Sequence, residues 1–199
     1  MLDPFCQCFS FWSKSDENSE IGNTVSKIEE SDVSLDLNRA GQDVVIVKNG
    51  KRLCGTGGAI SNAPITQNKA YFEVKIRSGG RWGIGLSTKR VDLNKVPLGC
   101  DGESWVLRND GNFFNNNEIK FKTNKNFDEG DIIGVTYDHE LLNFFLNGDN
   151  METSITGIRG TVYPVFYVDD GSILDVQFDS FYHQPPNGFD RIMIEKSIL

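Results

Sequence analysis

Between Gly130 and Gly148 the apolar residues recur at every second position. Ile133, Val135 and Tyr137 alternate with Ile132, Gly134 and Thr136. After the polar break Asp138-His139-Glu140 the pattern resumes, with Leu142, Phe144 and Leu146 set against Leu141, Asn143 and Phe145. The stretch predicts a β-hairpin closed by an Asn147-Gly148 turn. Apolar residues on both faces of each strand place it inside a larger β-structure rather than at a solvated edge.

The same period recurs elsewhere. Phe72, Val74 and Ile76 oppose Tyr71, Glu73 and Lys75; Trp82, Ile84 and Leu86 repeat the pattern, as do Trp105 with Leu107 and Leu174, Val176 with Phe178. Six Asn-Gly or Asp-Gly pairs, beginning at Asn49, Asp101, Asp110, Asn147, Asp170 and Asn187, supply turn residues. No stretch before the C-terminus sustains a helical period. The expected fold is all-β, an antiparallel β-sandwich of two sheets. After Pro185-Pro186, the spacing of Phe189, Ile192 and Met193 predicts a short terminal helix or an extension packed on the sandwich.

In chain order, YFEV at Tyr71 to Val74, SWVL at Ser104 to Leu107, GDIIGVTYD at Gly130 to Asp138, LNFFLNG at Leu142 to Gly148, YPVF at Tyr163 to Phe166 and the strand from Leu174 to Phe178 resemble a SPRY domain. The resemblance runs from about Gln42 to the C-terminus, and none of its motifs is catalytic. It implies a peptide-binding surface drawn from three places. On this chain these are Asn49, Lys51 and Arg52; Leu93, Val96 and Leu98; and Val168, Asp169 and Asp170. The sequence departs from the tripartite-motif branch, with no PRY segment before the domain and a short Asp138 to Glu140 turn. No RING, B-box, coiled coil or SOCS-box tail is read in it.

Charge divides the chain. The formal net charge is −8 over 199 residues, and positions 1–40 hold eight Asp/Glu against three Lys/Arg, leaving 20 against 17 beyond. Residues 1–40 read as a flexible acidic segment, and 41–199 as one SPRY-like domain. Val33, Leu35 and Leu37 alternate and could add an edge strand. Neither part carries the basic stripe that binding phosphates requires, so no nucleic-acid partner is expected. At the tip, MLDPFCQCFSFW offers Cys6 and Cys8 as lipidation candidates beside Phe5, Phe9, Phe11 and Trp12, which would make the protein peripherally membrane-associated. The alternative is a frayed end with inert thiols. The lack of a sequon, signal peptide or spanning run sets the expected address as cytoplasmic.

Four places hold residue types suited to chemistry. Asp138-His139-Glu140 begins an H-E-x-x-H pattern, but position 143 is Asn and the segment is a strand. The glycines at 55–58 and 79–85 lack the Lys and hydroxyl of a phosphate loop. Cys54 and Cys100 have no adjacent His and read as structural thiols. Trp82 and Trp105 could stack on sugar, giving a lectin-like alternative, although their place in alternating strands favours packing. No metal, cofactor or catalytic residue is expected. The chain is expected to be a monomeric, non-enzymatic adaptor for a protein or peptide partner. The loop KRVDLNKVPLGCD, Lys89 to Asp101, is too apolar for a solvated connector: it either binds or folds back over the end of the sandwich.

Overall fold

The structure, a computed structural model, describes residues 33–194. Cys6, Cys8 and the acidic segment up to residue 32 lie outside the described residues.

Three long strands, each broken in the middle, organise the fold. β1 (Leu35–Ala40) and β2 (Asp43–Val47) run antiparallel to β3 (Arg52–Ser61) in one register, Ala40 opposite Ala59 and Asp43 opposite Thr56. On the other side of β3 lie β13 (Tyr163–Asp169) and β14 (Ile173–Gln177), with Val168 opposite Gly57 and Leu174 opposite Leu53. β14 pairs in turn with β4 (Ala70–Ser78) and β13 with β5 (Arg81–Ser87), again in a nearly continuous register. Each pair is therefore one strand folded at a crease, and the crease runs through Gly55 to Gly57, Gly79-Gly80 and Asp170 to Ser172.

Backbone conformation explains why it folds there. Gly57 has φ 133° and Gly80 φ 110°, values that L-residues avoid. A Cβ at Gly80 would lie 2.5 Å from the Asp170 carbonyl oxygen, so the crossing also needs a residue without a side chain.

From the crease one half continues through β6 (Ser104–Arg108), β7 (Asn112–Asn115) and β8 (Glu118–Lys122). The other continues through β9 (Ile132–Tyr137) and β10 (Leu141–Leu146) to the short β11 (Asp149–Asn150) and β12 (Ile155–Thr156). The two expected sheets are thus halves of one curled sheet, joined through β3. The halves meet across the core: Phe72 of β4 packs edge-on to Phe166 of β13 at 5.8 Å, and Phe113 of β7 on Phe144 of β10 at 5.9 Å. Each such fully buried ring contributes on the order of 2 kcal/mol.

The expected hairpin is present as β9 and β10, with Leu142 opposite Tyr137, and lies within the sheet. Its connection is Asp138 to Glu140, whose Asp138 carboxylate accepts the Glu140 and Leu141 amides. Asn147-Gly148 instead turns β10 into β11. Leu35 of β1 is a core residue, while Leu37 stands 70% exposed. At the C-terminal end no helix forms among the described residues. β15 (Asp190–Arg191) pairs parallel with β4 and Ile192 is buried, so the alternative of a packed extension is the one adopted.

Candidate functional site

The strands β3, β6 and β13 carry apolar residues on both faces, and their outward residues Ile60, Val106, Val165 and Tyr167 are buried. What covers them is the loop from Thr88 to Glu103: Val91, Leu93 and Leu98 join them in a second apolar cluster, with Val96 at its margin. Burial pushes the Tyr167 hydroxyl pKa upward. The loop is held at both ends and in the middle. The Arg39 guanidinium donates to the Lys89 carbonyl. The Gly58 amide donates to the Leu93 carbonyl at 2.7 Å. Arg108 donates twice to the Leu98 carbonyl, at 2.5 and 3.0 Å, while lying 3.7 Å from the Phe114 ring centroid. Ser104 accepts the Gly99 amide at 2.8 Å. So many fixed points leave little conformational entropy to lose on binding.

Alongside the loop runs the outer lip of the crease. Arg81 reaches the Asp169 carboxylate at 2.8 Å and that of Asp170 at 3.0 Å, and Thr56 donates to Asp169 at 3.3 Å. Gly57 and Gly58 connect the two features. A Cβ at Gly58 would come within 2.9 Å of Leu93 Cδ2, so loop and strand are in contact along the backbone.

Of the nine residues that the family resemblance marks, the fold brings two groups together and sets the third apart. The loop residues Leu93, Val96 and Leu98 and the turn residues Asp169 and Asp170 flank the same stretch of β3. Asn49, Lys51 and Arg52 sit at the far end of the β2–β3 hairpin, roughly 13 Å along the strand from Thr56. There Lys51 pairs with Asp179 at 3.0 Å and Arg52 takes both oxygens of Asp175 at 2.5 and 2.7 Å. Three further side chains expected to contact a partner are buried in apolar packing. Val168 lies wholly in the core, and Leu93 and Leu98 are 7% and 3% exposed because the outward face of the sheet is itself apolar and needs cover. Val96 is half-buried; Asp170 and its neighbour Arg81 are exposed.

Arg81 is the residue that sequence reading missed. Its signal, one cation between two glycines and a core Trp, becomes informative only once the Asp169 to Gly171 turn is known to lie opposite. Trp82 is 2% exposed and packs on Phe127 at 5.3 Å, and Trp105 is half-buried against the core, so neither offers an open face for sugar. Cys54 is partly buried and Cys100 exposed, both as free thiols.

The arrangement therefore provides a stiff rim with an ion-paired lip. A family profile described as the SPRY domain matches residues 69–181. SPRY domain-containing protein 7 of Gallus gallus is 58% identical over 169 residues, covering 84% of this chain and 86% of that protein. Ran-binding protein 9 of Xenopus laevis is 34% identical over 127 residues, 60% of this chain and 22% of that protein. Among solved structures, the SPRY domain of human HERC1 superposes with a TM-score of 0.62 at 18% identity, over 72% of this chain and 97% of that one, a likeness of fold.

Proposed function

Since this chain belongs to the SPRY domain family, whose members are protein-interaction modules, we propose that it is a non-enzymatic recognition module. It captures a short segment of a partner protein on the rim between the Thr88 to Glu103 loop and the crease. The observation that carries this reading is the pre-organised loop. Its apolar residues are spent on packing, so the loop presents backbone and exposed side chains in one fixed arrangement. Asp170, with Arg81 beside it, offers both signs of charge at the lip, and Val96 adds a half-open apolar contact.

The reading revises how the site works. Leu93 and Leu98 act as supports for the rim, and Arg81, Val96, Asp169 and Asp170 make the contacts. Asn49, Lys51 and Arg52 are too far along the hairpin to share one short segment with them.

Quantitative capture of partners from lysate tests this. Wild type is compared with Arg81→Ala/Asp170→Ala, Val96→Asp, and Lys120→Ala on the distant β8 strand. Partners lost with the first two variants and kept with the third support the rim. Partners retained by all three variants place recognition elsewhere.

A further inference from the structure

The curled sheet has open edges, and they differ in how they are guarded. β8 carries Glu118, Lys120 and Lys122, charges that discourage another strand from pairing there. β11 and β12 have two residues each, too short to template anything. On the edge made by β1 and β2, the β1 end is covered: Arg39 donates to the Lys89 carbonyl and the Gln42 amide donates to Asn94 Oδ1 at 2.8 Å. The β2 end is bare. Among the described residues β2 pairs only with β3.

β2 is lightly guarded. Its sequence is DVVIV, with one exposed charge, Asp43, at its start and no Pro, Lys or inward charge. Val45 and Val47 face outward at 50% and 41% exposure. Their neighbours Val44 and Ile46 face the core yet are only partly buried, so the core itself is left open along this edge. One more strand would close it.

Charge beside the edge selects among strands. Asp175 is contacted by three cations, Arg52 at 2.5 Å, Arg77 at 3.3 Å and Lys48 at 3.6 Å. Arg52 occupies both carboxylate oxygens, and Lys48, just past the end of β2 and 53% exposed, reaches Asp175 across β3 only at 3.6 Å, so its ammonium can serve a second carboxylate on the open side. In a chain of net charge −8 this is a local excess of positive charge.

We propose that β2 is a strand-addition site, separate from the rim. Its occupant is an extended segment of a partner protein in which apolar residues alternate with acidic ones. The apolar residues complete the cover over Val44 and Ile46, and a carboxylate meets Lys48. Backbone hydrogen bonds supply affinity and the alternation supplies selectivity.

Hydrogen exchange on the full chain tests this with two probes, a short peptide alternating Val with Glu and the same peptide with Lys for Glu. The expected result is slowed exchange of β2 amides with the Glu peptide, and binding of the Lys peptide weaker by roughly two- to fivefold or more, the worth of an exposed charge contact. Val45→Glu, at an exposed position that leaves the fold intact, abolishes the protection. Lys48→Glu weakens it by roughly two- to fivefold, and Arg81→Ala leaves it unchanged. Unaltered β2 exchange with either peptide, or equal protection by both, overturns the proposal. So does β2 protection that grows with protein concentration alone, with a doubled mass in light scattering: the occupant would then be a second copy of this chain.

Discussion

Two stretches of chain cover outward faces of the curled sheet, and they differ in what they bury: apolar side chains under one, a carboxylate under the other. The Thr88 to Glu103 loop covers β3, β6 and β13 with Val91, Leu93 and Leu98, an apolar seal. The segment from Asp179 to Ile192 covers β4 by a polar latch. Glu73, fully buried, accepts the Tyr71 hydroxyl at 2.8 Å, the Tyr182 and His183 amides at 2.5 and 2.9 Å, and faces His183 Nδ1 at 3.3 Å. Phe181 stacks edge-on against Tyr71 at 4.9 Å. Apolar packing has no direction of its own, so the register of the loop rests on the hydrogen bonds its backbone accepts from Gly58 and Arg108. A carboxylate with three donors fixes its strap at one register.

The latch should therefore be the costlier one to break. Glu73→Ala leaves two backbone amides and a Tyr hydroxyl unpaired in a buried site, a loss of about 3–4 kcal/mol in urea unfolding. Glu73→Gln keeps an acceptor and loses less. In hydrogen exchange the amides of residues 181–192 should open first in Glu73→Ala while β9 and β10 stay protected. Uniform opening of the whole domain would mean that the strap is not a separate unit.

The seal should cost somewhat less. Leu98→Ala removes buried methyl groups above Gly58 and is expected to destabilise by about 2–3 kcal/mol. Its distinguishing readout is local: faster exchange in residues 88–103 and a weaker rim, with residues 181–192 unaffected. If both straps loosen together, the two faces are coupled through the sheet and the comparison fails.

The two straps also differ in how legible they are from residue pattern alone. A period of two in Phe72, Val74 and Ile76 placed the core face of β4, and those three are buried. It equally assigned Tyr71, Glu73 and Lys75 to the outer face, which is where they point. That the outer face is covered at Tyr71 and Glu73 depends on a segment more than a hundred residues downstream, and alternation carries no information about that. The apolar loop was conspicuous, with binding and covering both open as readings. The deciding signal lay in strands apolar on both faces, YPVFYV above all, whose outer residues needed a cover. The continuity of β13 with β14 across the crease was not legible, because register between distant strands is a tertiary property. For the same reason the nine residues carried over from the family could not be sorted into two neighbouring groups and one remote one.

Between the straps, at the β2–β3 turn, Asp175 links the sequence-distant cations Lys48, Arg52 and Arg77. Burial by itself would raise its carboxyl, but the Arg52 hydrogen bond and the charges of Arg52, Lys48 and Arg77 more than reverse this, holding it below the ordinary carboxylate range. A carboxyl whose folded pKa is depressed contributes stability above its unfolded pKa of about 3.9 and loses it as the pH falls through the folded value. Asp175→Asn should therefore cost about 1–2 kcal/mol near neutrality, with the gap to wild type closing as the pH falls below about 4. A gap that stays constant with pH would assign the loss to packing instead of charge.

The smallest stability effect is expected at the rim, and there it is most informative. Arg81 is 57% exposed, and its pairs with Asp169 and Asp170 are surface ion pairs, worth about 0.5 kcal/mol or less. Arg81→Ala should leave the unfolding midpoint nearly unchanged, unlike either strap variant. If the rim recognises partners, the same substitution weakens capture by roughly tenfold, the cost of truncating one contact near the centre of an interface. Leu98→Ala would lower both together, because it removes the support beneath the rim. Loss of capture without loss of stability in Arg81→Ala separates contact from scaffold. Capture that falls only in Leu98→Ala, and only in proportion to its unfolding, would leave Arg81 as a surface ion pair and move the binding surface away from the crease.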